Sequence, residues 1–271
     1  MSGISLSAGV RQNLLSLQDT AGLLAQTQNR LATGKKVNSA LDGPGAYFTA
    51  QSLTNRANSL SSLLDGITNG INTIQAANNG ISAITKLVQS AQSLVTQAQQ
   101  TTNTTVRAGL ATQFDAIRTQ ITQLAGDAGY NGTNLLNGNS LTLTLNETGT
   151  STAVVAGVTD TAAGLSVSAS ASSWAGDTDI SAAGTALTAA LTTLQSQSAS
   201  LSSSLSTVQI RSEFTKATIN TLQTGSDALT VADSNEEGAN LLALQTRQSL
   251  STTALSLSAQ SDKNVLKLFG G

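Results

Sequence analysis

Apolar residues recur along most of this chain at alternating steps of four and three, and the places where that rhythm stops divide it into elements. Val10, Leu14, Leu17, Ala21, Leu24 and Leu31 form a seam, with Gln28 in its one polar slot. This is the heptad spacing of a coiled-coil helix over residues 4–33. From Leu53 the alternation continues through Ala57, Leu60, Leu64, Ile67, Ile71 and Ile74 and meets polar Asn78. It slips by one residue between Ile81 and Ile84, then resumes through Val88, Ala91, Val95 and Ala98. Such a slip alters supercoil winding locally. At ~1.5 Å per residue the pattern predicts a helix roughly 70 Å long. "TTNTTVRAG" at 101–109 predicts a turn rich in capping residues. A shorter helix follows with Val106, Leu110, Phe114, Ile117, Ile121 and Leu124 on one face, stopped by the glycines of 126–132. Heptads return at Leu187, Leu191, Leu194, Leu201, Leu205, Val208, Ile219, Leu222 and Leu229, diluted by Ser or Thr at 198, 212, 215 and 226. A last helix, 236–269, places Leu250, Ala254, Leu257, Val265 and Leu268 on one face.

Two stretches break the helical period. In 131–178, Leu141, Leu143 and Leu145 alternate with threonines, the period-two mark of a half-buried strand. "AVVAGVT" and "GLSVSAS" predict further short strands around glycine turns, with Trp174 as a plug for the small sheet. In 30–47, Gly34, Gly43, Gly45 and the only proline, Pro44, predict a bend between two helices. The layout is nearly palindromic. It predicts a mainly α fold: a long antiparallel helical bundle or coiled coil with paired N- and C-terminal helices and a small β-hairpin insert. The expected divisions are 1–33 plus 236–271 as a terminal coiled-coil domain and 34–52 as a bend or spoke. Residues 53–130 plus 180–235 form a helical body, and 131–179 a small β-rich surface insert.

Composition narrows the function. Only 10% of residues are charged and 3% aromatic, while 39% are hydrophobic; a usual charged share is about 25%. A surface low in charge and rich in small neutral polar groups suits packing against copies of itself. A net charge of −2 offers no footprint for nucleic acid. With no cysteine and no histidine, disulfides, thiolate metal sites and a Ser-His-Asp arrangement are excluded. "TGKK" at 33–36 lacks the first glycine of a phosphate loop, where Asn29 stands, and no strand precedes it. Glu236 and Glu237 are adjacent and point in different directions on a helix. The sequons at Asn103, Asn131 and Asn146 are chance-level matches in so Asn- and Thr-rich a chain. No catalytic residue, metal ligand or cofactor is assigned, and an enzyme is not expected. No run approaches the ~20 apolar residues that span a bilayer, so membrane insertion is not expected. The N-terminus lacks the features of a cleaved secretory signal. The terminal seams are thin, and ordering a residue costs about 1–2 kcal/mol in backbone entropy. The two ends are therefore expected to need further copies to pack against.

The bend carries a family resemblance. "NRLATGKKVNSALDGPGAY" resembles the flagellin pattern R-L-S-S-G-x-[KR]-[IV]-N-S-A-x-D-D-A-A-G, with Arg30, Leu31, Gly34, Lys36, Val37, Asn38, Ser39, Ala40, Asp42 and Gly45 on matching positions. "LLDGITNGINTIQAANNGIS" and "GYNGTNLLNG" are similar to two further elements of that family. Near the C-terminus, Asp233, Glu236, Glu237, Asn240, Leu241, Gln245, Gln260, Asn264, Val265 and Leu266 align with its second long motif. The likeness covers about 4–138 and 185–269.

The resemblance implies a subunit that polymerises into the bacterial flagellar filament for motility, a homo-polymer that can include other flagellins. The terminal helices would line the filament core, with Val10, Leu14, Leu17, Leu24, Leu31, Leu250, Leu257, Val265 and Leu268 as self-assembly seams. Arg30, Gly34, Asn38, Asp42 and Gly45 would form the bend. Asp233, Glu236, Glu237, Asn240 and Asn264 would form the C-terminal motif. Implied partners are the flagellar junction and cap proteins, an export chaperone and the type III export apparatus, with an extracellular location. Gly43 and Pro44 depart from the bend motif, and Asp262 replaces a family proline. "QSLVTQ" at 92–97 lacks the Arg and Glu of the family's innate-receptor contact, which implies weak recognition by that receptor. The alternatives are a hook–filament junction protein, which shares the terminal helices, and a chemoreceptor-like helical hairpin, which lacks a β tip.

Overall fold

The structure, a computed structural model, describes residues 8–269 and, within them, every side chain except those of 262 and 265–269. Five long helices carry the chain: α1 Ala8–Thr33, α2 Pro44–Gln99, α3 Thr104–Asp127, α4 Asp177–Thr230 and α5 Ser234–Phe269. Between α3 and α4 lie β1 Leu141–Thr144, β2 Thr152–Val155 and a short 3-10 turn, Ala171–Trp174. The expected fold class is present: a helical bundle with an antiparallel hairpin insert. The chain divides into two compact units, Met1–Asn55 with Thr221–Gly271, and Arg56–Asn220.

The second unit is built around one core. Ile67, Ile74, Ile81, Ile84, Val88 and Val95 of α2 meet Leu110, Phe114 and Ile121 of α3 and Leu187, Leu194 and Leu201 of α4, all buried. The grooves beside them pair residues 92–99 with 181–192 and 81–89 with 194–202, so α2 and α4 run antiparallel. The expected slip between Ile81 and Ile84 is absent. The buried register runs unbroken through Ile67, Gly70, Ile74, Ala77, Ile81, Ile84, Val88, Ala91, Val95 and Ala98. Gly70 and Ala77 stand in it in place of the expected Ile71 and Asn78, and those two flank it, half-buried. A Cβ on Gly70 would stand 2.5 Å from Leu143 Cδ2, and one on Gly80 2.6 Å from Leu136 Cδ1. These glycines weaken the helix by about 1 kcal/mol each yet let the insert's leucines seat against it.

Helix α2 starts at Pro44, well before Leu53, because a proline at the first helical position loses no hydrogen bond. Asn103 caps α3 by accepting from the backbone N–H of Thr105 and Val106. On that helix Val106 is exposed and Arg107 buried, the reverse of the expected face at this end. Arg107 donates to the Ala98 and Thr101 carbonyls and to Asp177, tying the last turn of α2 to the start of α4.

The hairpin pairs Leu141 with Val155 and Thr144 with Thr152. Leu143 and Val155 are buried and Val154 exposed, as period two requires. The strand expected at "GLSVSAS" does not form. The N–H of Val167 donates to Ala162 O and that of Leu165 to Thr161 O, closing a turn. Arg118 then donates to Val167 O, and Asp115 accepts from Ser170, so α3 takes the bonds a partner strand would have taken. Trp174 is fully buried, but its ring lies 5.0 Å from that of Phe114. It therefore plugs the helical core rather than the sheet.

Candidate assembly surface

The first unit pairs the two chain ends. Helix α1 ends where Gly34 takes φ +68°, the left-handed conformation that suits glycine after a helix. Helix α5 begins where Asp233 accepts from the N–H of Asn235 at 2.8 Å and of Glu236 at 3.3 Å, an N-cap. An antiparallel bridge joins Lys35 to Val231 at this shared end, and the two helices pack antiparallel from there.

The face that α1 turns inward holds Val10, Asn13, Leu17, Thr20, Leu24, Thr27 and Leu31, each buried or half-buried. Val10, Leu17, Leu24 and Leu31 are seam residues of the sequence reading. The positions between them are not. Leu14 is 38% exposed, and Ala21 and Gln28 are exposed, while Thr20 and Thr27 are buried in their stead. Threonine is tolerated there because Thr20 satisfies its hydroxyl internally, donating to Ser16 O at 2.7 Å. On α5 the inward face is Glu237, Leu241, Leu244, Gln248, Ser251, Leu255 and Ser258. Leu250 and Leu257 lie outside it, 67% and 68% exposed, with Leu242 at 66%. Asn240, Glu236 and Asn264 are exposed, and the side chains of Val265 and Leu268 fall outside the described residues.

The bend is a short, heavily bonded loop. Lys36 N–H donates to Thr230 O at 2.7 Å, Ala232 N–H to Gly34 O at 2.9 Å, and Lys36 Nζ to Ala228 O at 3.0 Å. Asp42 Oδ2 accepts from the N–H of Asn38 and of Ser39 and from the Ser39 hydroxyl. Asn38 Nδ2 donates to Thr33 Oγ1 at 2.8 Å. The backbone N–H of Ser39, then that of Asn38, then the Ser39 hydroxyl, and last the charge of Arg30, hold the Asp42 carboxyl below its ordinary range. Gly45 is exposed with open space around it.

Arg30 and Glu237, taken from motifs at opposite ends of the sequence, meet here: Arg30 Nη1 donates to Glu237 Oε1 at 2.9 Å. The Glu237 side chain is 8% exposed, and its Oε2 is buried without a partner. A half-exposed arginine thus neutralises a buried carboxylate where α1 ends and α5 begins. Sequence reasoning missed the inward threonines, Leu244 and Leu255, and the 230–232 segment that holds the bend, and it placed Leu241 in a motif but not on the inward face. The threonines and leucines share the heptad period and could have been found by testing the register one residue away. The 230–232 contacts are through backbone and leave no sequence signal.

Among the described residues, Leu14, Leu15 and Leu23 of α1 and Leu242, Leu250 and Leu257 of α5 remain exposed. Among the described residues no helix is long and apolar enough to cross a membrane, and no group of three or more acidic, His or Cys side chains could hold a metal. Such exposed leucines can bind other apolar surfaces.

Comparison with known proteins bears on what they bind. Residues 4–141 match the model of the bacterial flagellin N-terminal helical region. Over 99% of both chains the sequence is 32% identical to Flagellin FljM of Caulobacter vibrioides. It is 29% identical to a flagellin of Brucella melitensis over the full length of each. A flagellin of Aquifex aeolicus is 33% identical over 45% of this chain and 24% of its own.

Proposed function

Because this chain belongs to the bacterial flagellin family, we propose that its outward leucines, foremost Leu250 and Leu257, are the contacts through which it polymerises. It is a structural subunit of the flagellar filament and not an enzyme. The observation that carries the assembly reading is the exposure of Leu250 and Leu257 at about two-thirds each on a helix already paired along another face. A leucine buried by a neighbour gains roughly 1.5–3 kcal/mol over full exposure, so each would add about 1–2 kcal/mol to a subunit contact. Repeated along a head-to-tail contact that does not close, such terms sum to a filament.

In this reading residues 1–33 and 236–271 line the filament core, 34–52 are the spoke, 53–130 with 180–235 the surrounding body, and 131–179 the outward insert. Val10, Leu17, Leu24 and Leu31 act within the subunit, supported by their inward placement, and Leu14, Leu250 and Leu257 act between subunits. The motif residues Arg30, Asp42, Asp233 and Glu237 set the geometry of the join, supported by the Arg30–Glu237 pair, the bonds of Asp42 to Asn38 and Ser39, and the cap that Asp233 puts on α5. Secretion through the type III export apparatus, an export chaperone, and the junction and cap proteins as partners belong to the same proposal, carried over from the family. Weak innate-receptor recognition belongs to it too, given the departures at 92–97.

The test is seeded growth followed by electron microscopy. The wild-type chain should extend filament seeds. The Leu250→Glu/Leu257→Glu double variant should stay monomeric with unchanged helical circular dichroism. Filaments from the double variant at wild-type rate would refute the assignment of these side chains.

A further inference from the structure

Asn131 has no part in assembly, yet the fold leaves it open to chemistry that it denies to its counterparts. An asparagine followed by glycine can close a ring on itself, because no side chain shields the glycine nitrogen from the asparagine Cγ. The chain holds four such pairs: Asn69–Gly70, Asn79–Gly80, Asn131–Gly132 and Asn137–Gly138. In three of them the attacking N–H is already engaged. Those of Gly70 and Gly80 belong to the hydrogen-bond ladder inside α2. That of Gly138 donates to Val158 O at 2.8 Å.

The pair Asn131–Gly132 is different. It forms the two central residues of a tight turn, with φ +47° at Asn131 and +80° at Gly132. Left-handed values at both positions mark the type I′ hairpin turn. The turn is closed by the N–H of Tyr130, which donates to Thr133 O at 2.9 Å, and that of Thr133, which donates to Tyr130 O at 3.0 Å. These bonds use the outer residues and leave the Gly132 N–H without an acceptor and the Asn131 amide without a partner. Both residues are exposed, and a Cβ on Gly132 would meet nothing within 4 Å. Water and base reach them freely.

We infer that Asn131 is a deamidation site, the pair among these four that reacts while the chain stays folded. Base removes the Gly132 N–H proton, and the nitrogen attacks Asn131 Cγ. A C–N bond forms, and Nδ2 takes up a proton and leaves as ammonia, giving a five-membered succinimide. Water then opens the ring at either carbonyl, to aspartate or to isoaspartate, with no change of oxidation state. Either product adds a negative charge. Isoaspartate also inserts a methylene into the main chain, which a two-residue turn cannot absorb while its bridge stays closed. The change is bounded on the C-terminal side. Asn134 is held separately, donating to Ala125 O and Gly126 O and accepting from the Leu136 N–H. Tyr130, whose hydroxyl accepts from Asn72 Nδ2 of α2 at 3.3 Å, lies on the side that loosens. The site belongs to the second unit alone and does not rest on the assembly reading.

The test ages full-length, unassembled protein in mildly alkaline buffer. Peptide mapping by mass spectrometry, with electron-transfer fragmentation, distinguishes isoaspartate from aspartate. Asn131 should gain the mass of an amide-to-acid exchange at least about tenfold faster than Asn69, Asn79 or Asn137, the factor that one hydrogen bond adds to a barrier. In urea, where every N–H is free, the four rates should converge. In the isoaspartate fraction, amide protection should fall at Thr133 and hold at Leu136. Equal rates in the folded protein overturn the inference, as does faster reaction at Asn137 than at Asn131. So does an Asn131 that stays intact in the folded chain and reacts only in urea. Unchanged protection at Thr133 overturns the opening of the turn.

Discussion

The same substitution at two glycines of α2 should move stability in opposite directions. Gly66 is exposed, and a Cβ there meets nothing within 4 Å. Gly66→Ala therefore gains helix propensity and restricts the unfolded chain, stabilising by about 0.5–1 kcal/mol. At Gly80 the same Cβ would lie 2.6 Å from Leu136 Cδ1 and 2.7 Å from Ala128 Cβ. Leu136 could rotate, but Ala128 has no rotamer to change, so the backbone after α3 must shift. Overpacking of this kind costs about 1–3 kcal/mol. Set against the propensity gain, Gly80→Ala should lose about 1–2 kcal/mol net. Trp174 is the single tryptophan and is buried in the same unit, so its fluorescence reports that unit's unfolding. At about 2–4 °C per kcal/mol for a unit of this size, Gly66→Ala should raise the midpoint by about 1–4 °C and Gly80→Ala lower it by about 2–8 °C. If Gly80→Ala matched or exceeded the wild type, the close approach of the insert to α2 would be wrong.

Further outcomes follow from charged groups. Arg107→Met should cost about 2–4 kcal/mol in the Trp174-monitored transition, because it orphans the Ala98 and Thr101 carbonyls. Asp177→Asn should cost under about 1 kcal/mol, since the Asp177 side chain is 84% exposed. Arg30→Ala strands the buried Glu237 carboxylate and should reduce amide protection in α1 more than Glu237→Gln, which removes the charge itself. Asp42→Ala should speed tryptic cleavage after Lys35 and Lys36 by freeing the Asn38 and Ser39 N–H groups. In the wild type the depressed Asp42 carboxyl supports the bend above the ordinary Asp range and ceases to as pH falls through its lowered value, which amide shifts of Asn38 and Ser39 should track.

The sequence by itself determined the helices, their order, the hairpin and the bend. Each is written in short-range signals: a heptad period, Leu141 and Leu143 alternating with threonine, Asn103 and Asp233 at helix starts, Gly34 after a helix end. Motifs at the two ends also named Arg30 and Glu237 separately, although their contact spans 207 residues. What only the tertiary structure decided is which of two adjacent positions turns inward. Leu14 and Thr20 are equally compatible with a heptad, and the burial of Thr20 follows from how closely α5 approaches. Leu250 and Leu257 read as a seam in one dimension, yet Leu241, Leu244 and Leu255 took the intramolecular face and left them outward. The same holds where "GLSVSAS" surrendered its strand bonds to Arg118 and Asp115. Periodicity fixes what a segment can bury, but the choice among its faces is an energy difference between neighbours, and those neighbours are supplied by the fold.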